Sequence, residues 1–134
     1  MADTFAIEIV TPERLVVKDI AEEAQIPGKN GYMGILPGHA PLISELAVGE
    51  ISYRVHGVTN RIAVAWGFAE VLPNKLTVLA ETAERPEEID VARAEQAKAR
   101  AEKKLASGNS EEECREALGS IAKAETRIGV AEKR

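Results

Sequence analysis

Polar and apolar residues follow two different periods along this chain. In residues 1–84 the apolar positions alternate: Phe5, Ile7 and Ile9; Ile51, Tyr53 and Val55; Leu76, Val78 and Ala80. A period of two places every second side chain on one face of a β-strand. The run from Arg61 to Leu72, carrying Trp66 and Phe68, predicts a longer strand. Turn chemistry separates the runs at Pro27-Gly28-Lys29-Asn30-Gly31, His56-Gly57 and Pro73-Asn74. Short strands at this spacing predict an all-β sandwich, or flattened barrel, over residues 1–84.

Residues 85–134 change period. Val, Ile, Thr and aromatic residues number 27 before this point and 6 after it, a shift from strand formers to helix formers. Pro86 suits a first helical turn, with Glu87, Glu88 and Asp90 at the positive end of the dipole. This helix is expected to run to about Ala106, where Gly108 stops it. Ser110 then caps a second helix, with Glu113 as its capping-box partner. Ala94, Ala97, Ala101 and Leu105 form a stripe facing Cys114, Ala117, Ile121, Ala124, Ile128 and Ala131. Such small residues predict a closely packed antiparallel hairpin and an α+β fold overall. An alanine stripe buries little area, so this hairpin docks weakly and can move. Gly119 and Gly129 each cost about 1 kcal/mol against Ala inside the second helix. They read as packing accommodations or as a helix kept soft enough to rearrange.

Composition narrows the function. A chain of 134 residues makes one domain plus an appendage. Its net charge of −5 argues against general nucleic-acid binding. No run of 18 apolar residues spans a membrane, and the start lacks the pattern of a signal peptide. One cysteine excludes an internal disulfide and fits a reducing, cytoplasmic setting. Residues 114–134 carry 3 acids and 5 bases, so the last helix suits an acidic partner surface as well as a solvated face. There is no P-loop and no GxGxxG. His39 and His56 lack ligand spacing, and Cys114 on its stripe reads as a small buried hydrophobe. No residues for catalysis or a metal are visible, so the expected protein is not an enzyme.

The segment Gly31 to Leu42 differs in kind. Three Gly and two Pro in twelve residues demand special backbone geometry, while Tyr32, Met33, Ile35 and Leu36 remain. It fits either a bulged loop or a surface shaped for a partner. Gly34-Ile-Leu-Pro-Gly-His-Ala-Pro-Leu42 resembles the signature of the epsilon-subunit family of F-type ATP synthases. The resemblance extends through Ile9-Val10-Thr11-Pro12, Gly67-Phe68-Ala69-Glu70-Val71, Leu79 to Glu84, and Arg127-Ile128 with Val130 to Lys133. It implies a non-catalytic rotor subunit at the cytoplasmic face of a bacterial plasma membrane, attached only through its complex and coupling proton flow to ATP synthesis. The implied partners are the gamma subunit, the polar loops of the c ring and the alpha/beta catalytic head. Tyr32, Met33 and His39 are expected at the rotor interface. An extended hairpin is expected to inhibit hydrolysis through Arg115, Lys123, Arg127 and Lys133.

A second motif concerns nucleotide. Ile89-Asp90-Val91-Ala92-Arg93-Ala94 is similar to the Ile/Leu-Asp-x-x-Arg-Ala pattern of epsilon subunits that bind ATP. The resemblance implies ATP as a regulatory ligand, with no cofactor required. Arg93 and Arg100 share one helical face, and Lys123 and Arg127 share another. A folded hairpin is expected to bring these faces onto one polyphosphate, with Glu84 and Asp90 toward the adenine or ribose. Solvated i,i+3 pairing of Asp90 with Arg93 is the plainer reading of the same residues. Lys123 stands where relatives usually have Arg, and a point charge without the bidentate fork weakens the site. A freestanding nucleotide-sensing module is the alternative function.

Overall fold

The structure, a computed structural model, describes residues 3–108 and 110–133. Met1, Ala2, Asn109 and Arg134 lie outside the described residues, including the Arg134 charge counted for the last helix. Seven strands come first: β1 Phe5–Val10, β2 Leu15–Ala21, β3 Glu23–Gly28, β4 Gly31–Ile35, β5 Leu42–Val55, β6 Val58–Leu72 and β7 Lys75–Glu84. They join in the order β2-β1-β7-β6-β5-β3-β4. All neighbours are antiparallel except β1 and β7. The expected sandwich is present, with two helices following it.

The alternating positions are buried as expected. Phe5, Ile7, Ile9, Ile51, Tyr53, Leu76, Val78 and Ala80 all enter one core, joined by Ile26, Ile35, Leu46 and Ile62. The gain from this burial is the main term holding the β-domain together. The His56-Gly57 turn has positive φ at both residues, 49° and 78°, the geometry that matches the twist of a two-residue hairpin.

One feature was not visible in the alternation. In β6 the inward residues are Ile62 and Val64 before Trp66, but Ala69 and Val71 after it. The face changes at Trp66 and Gly67, which carry φ of 52° and 128°. The partners change face at the same level: Leu46 then Ile51 in β5, and Ala80 then Ala83 in β7. This shared dislocation bends the three longest strands, so that they serve both layers. Gly67 is required there, since a methyl would collide with the Leu79 carbonyl oxygen and come within 2.9 Å of Ala80 Cα.

The first helix starts later than the sequence pattern suggests. Pro86–Glu88 forms a single 3-10 turn, and α1 runs Val91–Ala106. Asp90 is its N-cap, its Oδ1 accepting from Arg93 N at 3.0 Å. An extended Ile89 breaks the two apart, because its side chain is drawn into an apolar cluster with Ala63, Val130 and Ala131. Helix α2, Glu111–Glu132, is capped by Ser110, whose Oγ accepts from Glu113 N at 3.2 Å. Ala94, Ala101, Ala117 and Ala124 are buried in the hairpin seam, whereas Cys114, Ile121 and Ile128 are only half-buried.

The hairpin therefore docks through a small patch. Val130 is 1% exposed although it lies off the predicted stripe. Its partner Ala63 explains why Ile62, Ala63, Val64 and Ala65 are all buried in succession. Alternate members face the core, and their neighbours face α2. The Trp66 ring lies against Gly119 of α2, where an added Cβ would stand 3.4 Å from it. Trp66 is therefore an interfacial residue, 40% exposed.

Candidate functional site

Three elements converge where β7 gives way to the hairpin. Glu84 ends β7, Arg93 sits in the first turn of α1, and Lys123 and Arg127 lie one turn apart on α2. Together with Thr11, Glu13 and Arg14 of the β1–β2 turn they line a cavity of about 400 Å³. This volume falls within the range of roughly 300–1,000 Å³ typical of small-molecule sites.

Arg127 and Glu84 form a bidentate pair, Nε–Oε1 2.6 Å and Nη2–Oε2 3.2 Å. Both side chains are largely shielded, 17% and 26% exposed. In this docked state the Glu84 carboxylate thus clamps α2 to the sheet. Among the described residues, neither Arg93 nor Lys123 has a carboxylate within the 4.0 Å of an ion pair. Two cations without acid partners therefore face a polar cavity, which is what a polyanion requires.

Arg14 adds a fourth cation that no sequence motif indicated. It pairs with Glu88 at 2.8 Å. The Arg14 hydrogen bond holds the Glu88 carboxyl below its ordinary value of 4.5, and the same bond raises Arg14. The folded state thus favours ionised Glu88. This tie is present above the ordinary carboxylate range and is lost as pH falls through the lowered pKa.

Other predicted residues are placed differently. Asp90 caps α1, and Ile89 is an apolar anchor, 7% exposed. Arg100 is two helical turns beyond Arg93, about 10 Å along the axis. It lines a separate cavity with Ala97, Lys104, Glu113, Glu116 and Ser120. Arg115 reaches Glu111 at 3.7 Å on an exposed face. Lys133 reaches Glu50 of β5 at 3.1 Å. Among the basic residues expected to contact an inhibited partner, Lys123, Arg127 and Lys133 are turned toward the β-domain.

At the expected rotor interface, Met33 packs half-buried against the core. Tyr32 lies back over β5, its hydroxyl accepting from Glu50 N at 3.0 Å. His39 Nδ1 is 2.7 Å from Ala40 O. The loop carrying His39 meets the β6–β7 turn, where Gly38 N donates to Pro73 O at 2.7 Å. The exposed apolar residues on and after this loop are Leu36, Leu42 and Ile43, the last 71% exposed. Leu42 and Ile43 follow Pro41 as two successive apolar residues at a strand start, and one of two neighbours in a strand must face outward.

Breaking the Arg127–Glu84 clamp is a direct check of the docking. Glu84→Gln should weaken docking of the hairpin by about 1–3 kcal/mol, since it leaves a shielded guanidinium without its carboxylate. Trp66 fluorescence should then shift to the red as its ring leaves Gly119. An unchanged emission spectrum would show that the clamp does not hold the hairpin.

Comparison with known proteins agrees with this architecture along its whole length. The ATP synthase Delta/Epsilon chain beta-sandwich domain matches residues 4–86. The long alpha-helix domain of the same chain matches residues 87–132. The chain is 70% identical over 111 residues to an ATP synthase epsilon chain from Koribacter versatilis, covering 83% of this chain and 78% of that one. It is 42% identical to the ATP synthase epsilon chain of Solibacter usitatus over 134 residues, all of both chains. A chain in the structure of the Euglena gracilis mitochondrial ATP synthase, OSCP/F1/c-ring, shares the fold with a TM-score of 0.80 at 20% identity, over all of this chain and 84% of that one. A β-sandwich and a helical hairpin, both matched in order and in full, place this chain in the ATP synthase epsilon-chain family.

Proposed function

We propose that this chain is a central-stalk subunit of a bacterial F-type ATP synthase, whose hairpin senses ATP and restrains hydrolysis. It binds the gamma subunit and the c-ring loops at the cytoplasmic face of the plasma membrane and takes part in proton-coupled ATP synthesis. It performs no catalysis itself. The observation carrying the sensing role is the hinge cavity, which collects Arg93, Lys123 and Arg127 from two helices against the sheet. Undocking the hairpin separates these groups from Glu84 and the β1–β2 turn, so a ligand held there favours the docked state. Extension would free Lys123, Arg127 and Lys133 for an acidic surface of the catalytic head.

An outer apolar row supports a stalk partner. Leu15 pairs with Val10, Val10 with Leu79, and Leu79 with Phe68 across β2, β1, β7 and β6. Leu15, Leu79 and Phe68 are each more than half exposed. A contiguous exposed row of this kind marks a protein interface, here assigned to the gamma subunit.

Calorimetric titration of the full chain with ATP tests the site. Arg93→Ala should weaken binding by about 1.5–3 kcal/mol through loss of a charge-assisted hydrogen bond. Arg100→Ala should cost less, since it faces another cavity. Lys123→Arg should tighten binding by adding a bidentate fork. No ATP-linked heat at millimolar nucleotide would mean that the basic residues are only solvated faces.

A further inference from the structure

A second basic cavity lies under the 3-10 turn, at the start of β6. It holds about 200 Å³, below the range of roughly 300–1,000 Å³ that suits drug-sized ligands. Its lining includes Tyr53, Asn60, Arg61, Arg85, Glu87 and Lys133. These come from the sheet, the hinge and the last residue described after α2. None of them belongs to the hinge cavity.

Donors outnumber acceptors here. Arg61 and Lys133 share one carboxylate, Glu50, at 3.3 and 3.1 Å. Glu87 is the one acid among the lining residues, and Glu50 stands behind Arg61 and Lys133, so three cations meet two carboxylates. Arg61 Nε is buried and makes no hydrogen bond despite its distance from Glu50; it is the one such side-chain atom among the described residues. Arg85 places Nη2 on Val16 O at 2.6 Å, with further N–H groups of its fork remaining. Lys133 spends one of its three donors on Glu50. Burial raises the Tyr53 hydroxyl above its ordinary value, against the opposing charge of Arg85, so it stays protonated and can donate.

We propose that this cavity binds a small inorganic oxyanion of the orthophosphate class. Arg61, Arg85 and Lys133 supply charge-assisted donors, and a tetrahedral anion accepts from several directions at once. A cavity of this size suits a small anion better than a whole nucleotide. Lys133 reaches the cavity from the end of α2, so the site is complete only while the hairpin is docked. A bound anion therefore adds its binding free energy to the docked state. Orthophosphate is consumed in ATP synthesis, so plentiful substrate would hold the arm down. That consequence rests on the regulatory role proposed above; the site itself rests on the cavity alone.

The test is a titration of the full chain with sodium orthophosphate against chloride at matched ionic strength, followed by amide NMR and calorimetry. The expected result is saturable millimolar binding, with shifts at Arg61, Arg85 and Lys133. Arg61→Gln should weaken it roughly tenfold or more, as loss of a charged hydrogen bond does. Lys133→Gln should do the same if the first variant folds poorly, while Lys18→Gln, on an exposed position of β2 outside both cavities, should leave phosphate binding unchanged. Absence of saturation overturns the proposal. So do shifts confined to Arg93, Lys123 and Arg127, which would place the phosphate in the hinge cavity. Phosphate binding without ATP binding would retain this site and remove the nucleotide-sensing role instead.

Discussion

Gly67→Ala is expected to destabilise the β-domain by about 3–5 kcal/mol, the largest effect of any single change considered. Two costs combine. A side chain at φ 128° costs roughly 1–3 kcal/mol in backbone strain. Forcing a methyl against the Leu79 carbonyl and Ala80 Cα costs roughly another 1–3 kcal/mol as overpacking. The obstruction is backbone, so no side chain can swing aside. Against a total stability of about 5–15 kcal/mol, this variant is marginal. Urea denaturation followed by circular dichroism measures it. Gly34→Ala is the control, since its Cβ meets open space and should change little. If both variants melt alike, β6 and β7 do not approach as closely as the bend requires.

Truncation after Glu84 should leave a folded β-domain and raise ATP hydrolysis by the assembled complex several-fold. Every residue of the main core precedes residue 84, and every strand pairing ends at or before it. The loss comprises the small Ala63, Ile89, Val130 and Ala131 cluster, the Arg127–Glu84 clamp, the Arg14–Glu88 and Lys133–Glu50 pairs, the Arg85 bond to Val16 and the packing of Trp66 on Gly119, none of which belongs to the main core. Activity rises because the proposed inhibitor is gone. Arg93→Ala should act in the opposite direction. It removes what ATP holds in the docked arm, so inhibition should strengthen at high ATP. A ligand shifts a two-state equilibrium only through its differential affinity, so the two variants must diverge with ATP concentration. An unfolded truncated chain would refute independent folding of residues 1–84. Identical hydrolysis by Arg93→Ala and wild type at every ATP level would refute nucleotide control.

Much of the fold was legible because it depends on local periodicity. Alternation at Phe5, Ile7 and Ile9 needs only one buried face, and the alanine spacing of α1 and α2 needs only a second helix. Caps are local as well: Ser110 serves as one through its own side chain. The start of α1 was misplaced because Ile89 answers to Val130, forty-one positions away, rather than to its neighbours. The same distance explains why the hinge site was only partly legible. A family motif pointed to Arg93, but only docking set Lys123 and Arg127 beside it and left Arg100 elsewhere.

What the sequence determined alone was whatever a single strand or helix can express: two periods, their turns and caps, and the residues able to carry charge. Tertiary structure decided where those charges meet. It placed Arg14 on Glu88, spent Glu84 on Arg127 and gathered Arg61, Arg85 and Lys133 around one small cavity. It also decided the bend at Trp66 and Gly67, because a change of face must occur in three neighbouring strands together. The physical reason is the same in each case. Burial and ion pairing act between groups close in space, and their separation along the chain leaves no periodic trace.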